Sequence, residues 1–243
     1  MITIIFGKIG AGKTALLTHI LNGFAFDIDR NRQMRIAIKA KNEGSERALT
    51  IPPHCVSANY ECTFRKFGYR PRVNRVIDPS RLCIDDKKSG IKPHFNFPYE
   101  VIGVDEAQRW FCGKGKDYLN SWQSRWFEMH RHIHLDIYLA VQRAMLIDKN
   151  IRDLAQGIEV QTLKKYYDKY GKVIRLKWIV NVINEGDIEN YLNASAADKK
   201  KYCRQEVIKA NYNVFLMYNS FSLESKFYEG HEGEDLDLNY RAV

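Results

Sequence analysis

Near the N-terminus the residues Gly7-Lys8-Ile9-Gly10-Ala11-Gly12-Lys13-Thr14 set glycines, a lysine and a hydroxyl at the spacing G-x-x-x-x-G-K-[ST]. Residue types and order point to binding of a polyphosphate. Glycines let backbone N–H groups turn inward around phosphates without Cβ obstruction. Lys13 is placed to reach β- and γ-phosphates, and the Thr14 hydroxyl to hold Mg²⁺. Gly7, Lys8, Gly10, Ala11, Gly12, Lys13, Thr14 and Ala15 are therefore the expected contacts of a nucleoside triphosphate, with ATP as the nucleotide. The apolar run 1–6 before the loop reads as a buried strand. Ala15, Leu16, Leu17, Ile20 and Leu21 after it read as a helix, whose positive N-terminal end faces the anion, with Gly23 as its stop.

A second constellation lies at 101–106, where the apolar run Val101-Ile102-Gly103-Val104 ends in Asp105-Glu106. Asp105 is placed to hold Mg²⁺ and Glu106 to polarise an attacking water. Such an acid pair can also serve as ordinary helix capping. The phosphate loop upstream favours the catalytic reading.

Lys8 in the second loop position resembles the deviant loop of ParA- and MinD-like ATPases. That family, however, carries a further Gly where this chain has Ile9, and lacks a Glu directly after the Asp. Asp105-Glu106 instead resembles the additional-strand, catalytic-glutamate branch of P-loop ATPases. That resemblance implies that 135–142 is an extra strand between the two motif strands, with Gln142 as the polar sensor of the γ-phosphate or water. More specifically, Val104-Asp105-Glu106-Ala107-Gln108-Arg109-Trp110-Phe111, then His130-Arg131-His132, Leu135-Asp136-Ile137, Ile147-Asp148 and Ile151-Arg152, resemble the zonula occludens toxin-like family. Tyr218-Asn219-Ser220 resembles its closing strand.

The family includes filamentous-phage assembly ATPases of the FtsK/HerA-like motor group. The resemblance spans about residues 1–222. It implies a ring, expected to be a hexamer, that hydrolyses ATP to move DNA and docks on a capsid or membrane protein of a virion. An arginine supplied in trans is part of that expectation, with Arg152, Arg131 and Arg143 as candidates. Most members continue into a transmembrane helix and this chain does not, which favours genome packaging over filament extrusion. The expected place is the host cytoplasm, with docking on the virion or membrane. The reading from another class is a ParA-like switch.

Several elements must position these groups. Residues 35–41 alternate as a strand, 99–104 form the strand feeding Asp105, 108–131 read as mostly helix interrupted near 113–115, and 135–142 as a strand. Residues 150–156 read as a short helix. Two β-type runs in 158–183 flank Asp168–Gly171 as a hairpin. Residues 193–203 read as helical and 214–218 as a last short strand. The expected fold is α/β, a P-loop NTPase of additional-strand type, with a mostly parallel sheet, helices on both faces and a β-hairpin excursion. Residues 1–228 form the ATPase domain with 158–183 as an inserted hairpin, and 229–243 an acidic flexible tail.

The 243 residues are 45% hydrophobic and 12% aromatic, enough for a real core. No apolar stretch approaches the 18 residues of a membrane span. Five cysteines without a C-x-x-C pair fit a reducing compartment. Zinc ligation by His54, Cys55, Cys62 and Cys83 matches no common spacing, and the alternating His130, His132 and His134 read as polar positions on a turn entering the strand more than as a metal site. Net charge is +9, while residues 229–243 hold five acids and one base, net −4, leaving +13 on the body. A basic body suits a polyanion. The basic aromatic stretches 65–75 and 164–175 are the expected nucleic-acid contacts.

Overall fold

The computed structural model describes residues 1–25, 55–63, 73–82, 100–113, 121–132 and 134–218. The strand expected at 35–41, the basic stretch 64–72, the loop 85–98 and the tail lie outside them, as do His54 and Cys83.

Strand β1 (Ile2–Gly7) alternates between two buried faces. Ile2, Ile4 and Phe6 enter one core and Ile5 enters the other. Burial on both faces is what an internal strand of a parallel sheet requires. The same holds for β4 (Val101–Val104) and β5 (Asp136–Val141). With β2 (Cys55–Ala58), β3 (Val73–Val76), β6 (Ala155–Tyr167), β7 (Val173–Ile183) and β8 (Cys203–Asn211) they form one sheet of order β3-β2-β4-β5-β1-β6-β7-β8. The first six strands in that order run parallel, and β7 and β8 are antiparallel.

Helix α1 (Lys13–Ala25) covers one face, with Ala15, Leu16, Leu17 and Leu21 packed on Val56, Val101, Tyr138 and Ala140. The opposite face is covered by α2 (Ser121–Met129), α3 (Lys149–Asp153) and α4 (Ile188–Asn193), through Phe127, Ile151, Ile188 and Tyr191. This is a P-loop NTPase fold. As the resemblance to the additional-strand branch implied, β5 lies between β1 and β4, so the strand ends carrying Gly7, Asp105 and Gln142 gather at one edge.

Several local expectations are corrected. α1 runs two residues past Gly23, which has open space where a Cβ would stand. Across 107–131, a 3₁₀ turn spans Ala107–Arg109 and α-helix covers Ser121–Met129, while the described residues 110–113 are not helical. The two runs of 158–183 pair as a hairpin, and the first of them also joins the parallel sheet. Ile2–Gly7 pairs residue by residue with Ala155–Val160 before β6 runs on into the hairpin. The helical reading of 193–203 divides into the end of α4 and a 3₁₀ turn at Asp198–Lys201. β8 follows, a strand whose alternating exposure had masked it. Tyr212–Leu216 is a 3₁₀ turn, not a strand, and only Tyr218 makes a β-bridge, to Cys62.

Candidate nucleotide site

Two close approaches set the site. Gly12 turns with φ +77°, where a side chain is strained, and an added Cβ would lie 2.7 Å from Leu163 Cδ2 and 3.1 Å from the Trp178 indole nitrogen. The loop is thus pressed against the root of the hairpin. Gly103 of β4 leaves room for α1, since a Cβ there would lie 2.6 Å from Leu21 Cδ1. That seating brings the first turn of α1 down on the end of β4. The Thr14 hydroxyl donates to Asp105 Oδ2 at 2.7 Å across 91 residues of sequence.

Asp105 is buried and held from several sides. Its other oxygen accepts the Glu106 N–H at 3.0 Å. Its own N–H donates to Asn59 Oδ1 at 2.7 Å, and its carbonyl accepts from Asn59 Nδ2 at 2.9 Å. Burial pushes the Asp105 carboxyl above the usual carboxylate range, against the Thr14 and Glu106 hydrogen bonds, which pull it down. Glu106 sits in the left-handed region, φ 50° and ψ 40°. For a residue with a Cβ this costs on the order of 1–2 kcal/mol, a strain of the kind that gathers at functional sites. Its carboxylate accepts a hydrogen bond from Gln108 Nε2, which fixes its direction.

The Lys13 ammonium donates to the carbonyls of Gly7 (3.0 Å) and Lys8 (3.1 Å). Burial lowers its pKa, while Glu106 and Asp105 act to raise it. Lys13, Thr14, Gly10, Gly12, Ala15, Glu106 and Gln142 all line one cavity of about 270 Å³. Gly7, Lys8 and Ala11 stand behind this lining. Gly7 backs onto Val160, and Lys8 contributes its carbonyl to Lys13. Ammonium, loop N–H groups and the positive end of α1 suit a polyphosphate. The Thr14 hydroxyl and Asp105 carboxylate form a pair of hard oxygen donors at the same edge, which suits Mg²⁺.

The arginines separate clearly. Arg152 is 7% exposed. It donates to the carbonyls of Ile147 (2.6 Å) and Met145 (3.4 Å) and lies 3.7 Å from Glu189. These contacts brace the turn that follows Gln142 from within the chain, while the buried Nε has no hydrogen-bond partner among the described residues. Arg131 is exposed and paired with Glu185. Arg143, beside Gln142, is exposed. His130 is buried at the end of α2, and no cluster of metal-ligating side chains occurs among the described residues.

Asn59, Leu163, Phe215 and Tyr218 were not legible as site residues. Asn59 follows β2 with no motif around it, and the others reach the cavity only through the turn of the hairpin and the C-terminal segment. The one available signal was Gln108, two residues beyond Glu106 and within reach of its carboxylate.

A family model described as zonular occludens toxin matches residues 1–223. Among solved structures, the N-terminal domain of zonular occludens toxin from Neisseria meningitidis is 16% identical, with 90% of this chain and 98% of that chain covered and a TM-score of 0.46. The genome packaging NTPase B204 from Sulfolobus turreted icosahedral virus 2, in complex with ATP-gammaS, is also 16% identical, with 76% and 93% covered and a TM-score of 0.37. The cytoplasmic domain of the Thermomonospora curvata type VII secretion ATPase EccC is 12% identical, with 76% and 23% covered and a TM-score of 0.37. Comparison with curated proteins gave no match.

Proposed function

The chain belongs to the zonular occludens toxin family, and from that premise we propose that it is an ATP-hydrolysing motor that moves DNA. Packaging of a viral genome is the first reading and extrusion of a filamentous virion the second. One observation carries the hydrolytic part. Lys13, Thr14, Glu106 and Gln142, from three separate segments, face one cavity whose rim is tied by the Thr14–Asp105 hydrogen bond.

Each side chain has a task set by its surroundings. The Lys13 ammonium exchanges the Gly7 and Lys8 carbonyls for β- and γ-phosphate oxygens of the substrate. Thr14 and Asp105 would hold Mg²⁺, which would supply charge neutralisation for those oxygens. Glu106, aimed by Gln108, accepts the proton of the attacking water. Gln142, at the end of the strand between the two motif strands, orients that water against the γ-phosphate. A neighbouring subunit of a ring supplies an arginine, with the exposed Arg131 and Arg143 and the buried Arg152 as candidates.

The hairpin tip supports the DNA part. Tyr166, Tyr167 and Tyr170 are exposed, Tyr170 at 81%, among Lys164, Lys165, Lys169 and Lys172. Cations meet phosphates and exposed rings stack on bases. A virion capsid or membrane protein is the proposed docking partner. No helix among the described residues is long and apolar enough to cross a membrane.

The deciding experiment is steady-state ATP hydrolysis with and without DNA by wild type and Glu106→Gln. A lost general base lowers kcat by about 10²–10⁴ while nucleotide binding persists. Unchanged hydrolysis in the variant removes Glu106 from the mechanism. A ParA-like switch shows very slow turnover and ATP-dependent dimers without rings.

A further inference from the structure

The cavity does not end at the phosphate loop. Beyond Lys13 and Thr14 it continues to a wall of Leu163 and Lys165 from β6 and Phe215 and Tyr218 from the C-terminal segment. Every acid and amide side chain on the lining, Glu106 and Gln142, belongs to the hydrolytic end. The far wall has two aromatic rings, an aliphatic side chain and an ammonium.

That wall is held firmly. The Thr63 N–H donates to the Met217 carbonyl at 2.6 Å, and Cys62 and Tyr218 form a β-bridge. Tyr218 meets the buried Tyr60 edge to face at 6.2 Å. Burial and the charge of Asp105 push the Tyr218 hydroxyl up to about 12, so it stays neutral beside the site. Phe215 is half-buried against the core under α1. The Lys165 ammonium lies 5.7 Å from the Phe215 ring centroid, over its face. Lys165 is an exposed side chain, so that face can be reached from solvent and the lysine can swing aside.

We infer that Phe215 is the stacking platform for the nucleobase of the substrate, flanked by Leu163 and Tyr218, with Lys165 at the rim. The inference rests on the ATPase reading and adds how the base is chosen. Stacking accepts any base, because every base has a π-face. Telling adenine from guanine requires groups that hold a fixed donor and acceptor pattern against the base edge, and among the described residues this wall offers no carboxylate or amide, only the Tyr218 hydroxyl, whose proton can turn, and the exposed Lys165 ammonium. The site therefore takes ATP and GTP alike.

The test is equilibrium binding of Mg-ATP, Mg-GTP and Mg-tripolyphosphate to wild type, Phe215→Ala, Phe215→Leu and Phe215→Trp. ATP and GTP should bind wild type within about threefold of each other, as expected where stacking alone holds the base. Phe215→Ala should weaken both by about 5- to 150-fold, the range of one lost base–aromatic stack. Tripolyphosphate, which has no base, should bind all four proteins equally. Phe215→Leu keeps apolar packing without the π-face and should behave like the alanine variant, and Phe215→Trp should bind like wild type. Unchanged ATP binding in both Phe215→Ala and Phe215→Leu overturns the inference, as does a tenfold preference for ATP over GTP. If tripolyphosphate and ATP both fail to bind wild type, the ATPase reading itself is overturned.

Discussion

Asn59 has no chemistry of its own in the proposed reaction, yet its removal should be costly. It is 5% exposed and spans both main-chain polar groups of Asp105, at 2.7 Å and 2.9 Å. Asn59→Ala orphans a buried N–H and a buried carbonyl, each costing about 1–3 kcal/mol. Water entering the vacated space returns part of this, so the expected loss is about 2–4 kcal/mol. For a domain of this size that lowers Tm by roughly 5–15 °C. Asn59→Asp should be at least as harmful, because it turns a carboxylate oxygen toward the Asp105 carbonyl. Function should fall in a specific way. With its backbone released, Asp105 no longer meets Thr14 reliably, so the Mg²⁺ concentration for half-maximal hydrolysis rises while saturated turnover falls less. Thermal melts and Mg²⁺ titrations of the ATPase rate measure both effects. A Tm within 2 °C of wild type, together with an unchanged Mg²⁺ midpoint, would refute the clamp; the 2 °C threshold is about 1 kcal/mol or less.

Asp105 should leave a signature in stability against pH. Its carboxyl is raised by burial, so its contribution is fully present below the unfolded value near about 3.9 and is lost as pH rises through the raised folded value. Denaturant melts without nucleotide should therefore show wild type losing stability relative to Asp105→Asn across that window, and parallel curves would refute the assignment. Arg152→Ala should destabilise by about 2–4 kcal/mol, since it strands buried carbonyls and leaves Glu189 with only the exposed Lys149 as a partner. Mixed with wild-type subunits, it should reduce activity only in proportion to its share, whereas a finger acting in trans would poison neighbouring sites without changing Tm. In the hairpin, Lys164→Ala with Lys169→Ala should weaken DNA binding and flatten its log–log salt dependence by about 1.4–1.8, the slope of two phosphate contacts. An unchanged slope moves the DNA contact elsewhere.

The local chemistry was legible because it is local. A phosphate loop requires glycines, a lysine and a hydroxyl in fixed order along one turn, and Asp105-Glu106 closes a single apolar strand. Buried parallel strands announce themselves as unbroken apolar runs, so β1, β4 and β5 could be read. β8 and the turn at Tyr212–Leu216 could not. β8 lies at the sheet edge with one side exposed, and the short apolar run at 214–218 fits a strand or a turn equally.

The amino-acid sequence by itself therefore determined the nucleotide-binding loop, the acid pair and the class of fold. Only the tertiary structure decided which distant groups join them. Asn59 reaches Asp105 across 46 residues because β2 pairs with β4. Phe215 and Tyr218 meet the loop because the C-terminal segment is tied back to Thr63 and Cys62. Arg152, a candidate for the neighbour's site on sequence grounds, lies buried against its own chain. A guanidinium taken out of water must find carbonyls and a carboxylate, and here they lie in the turn after Gln142 and on α4.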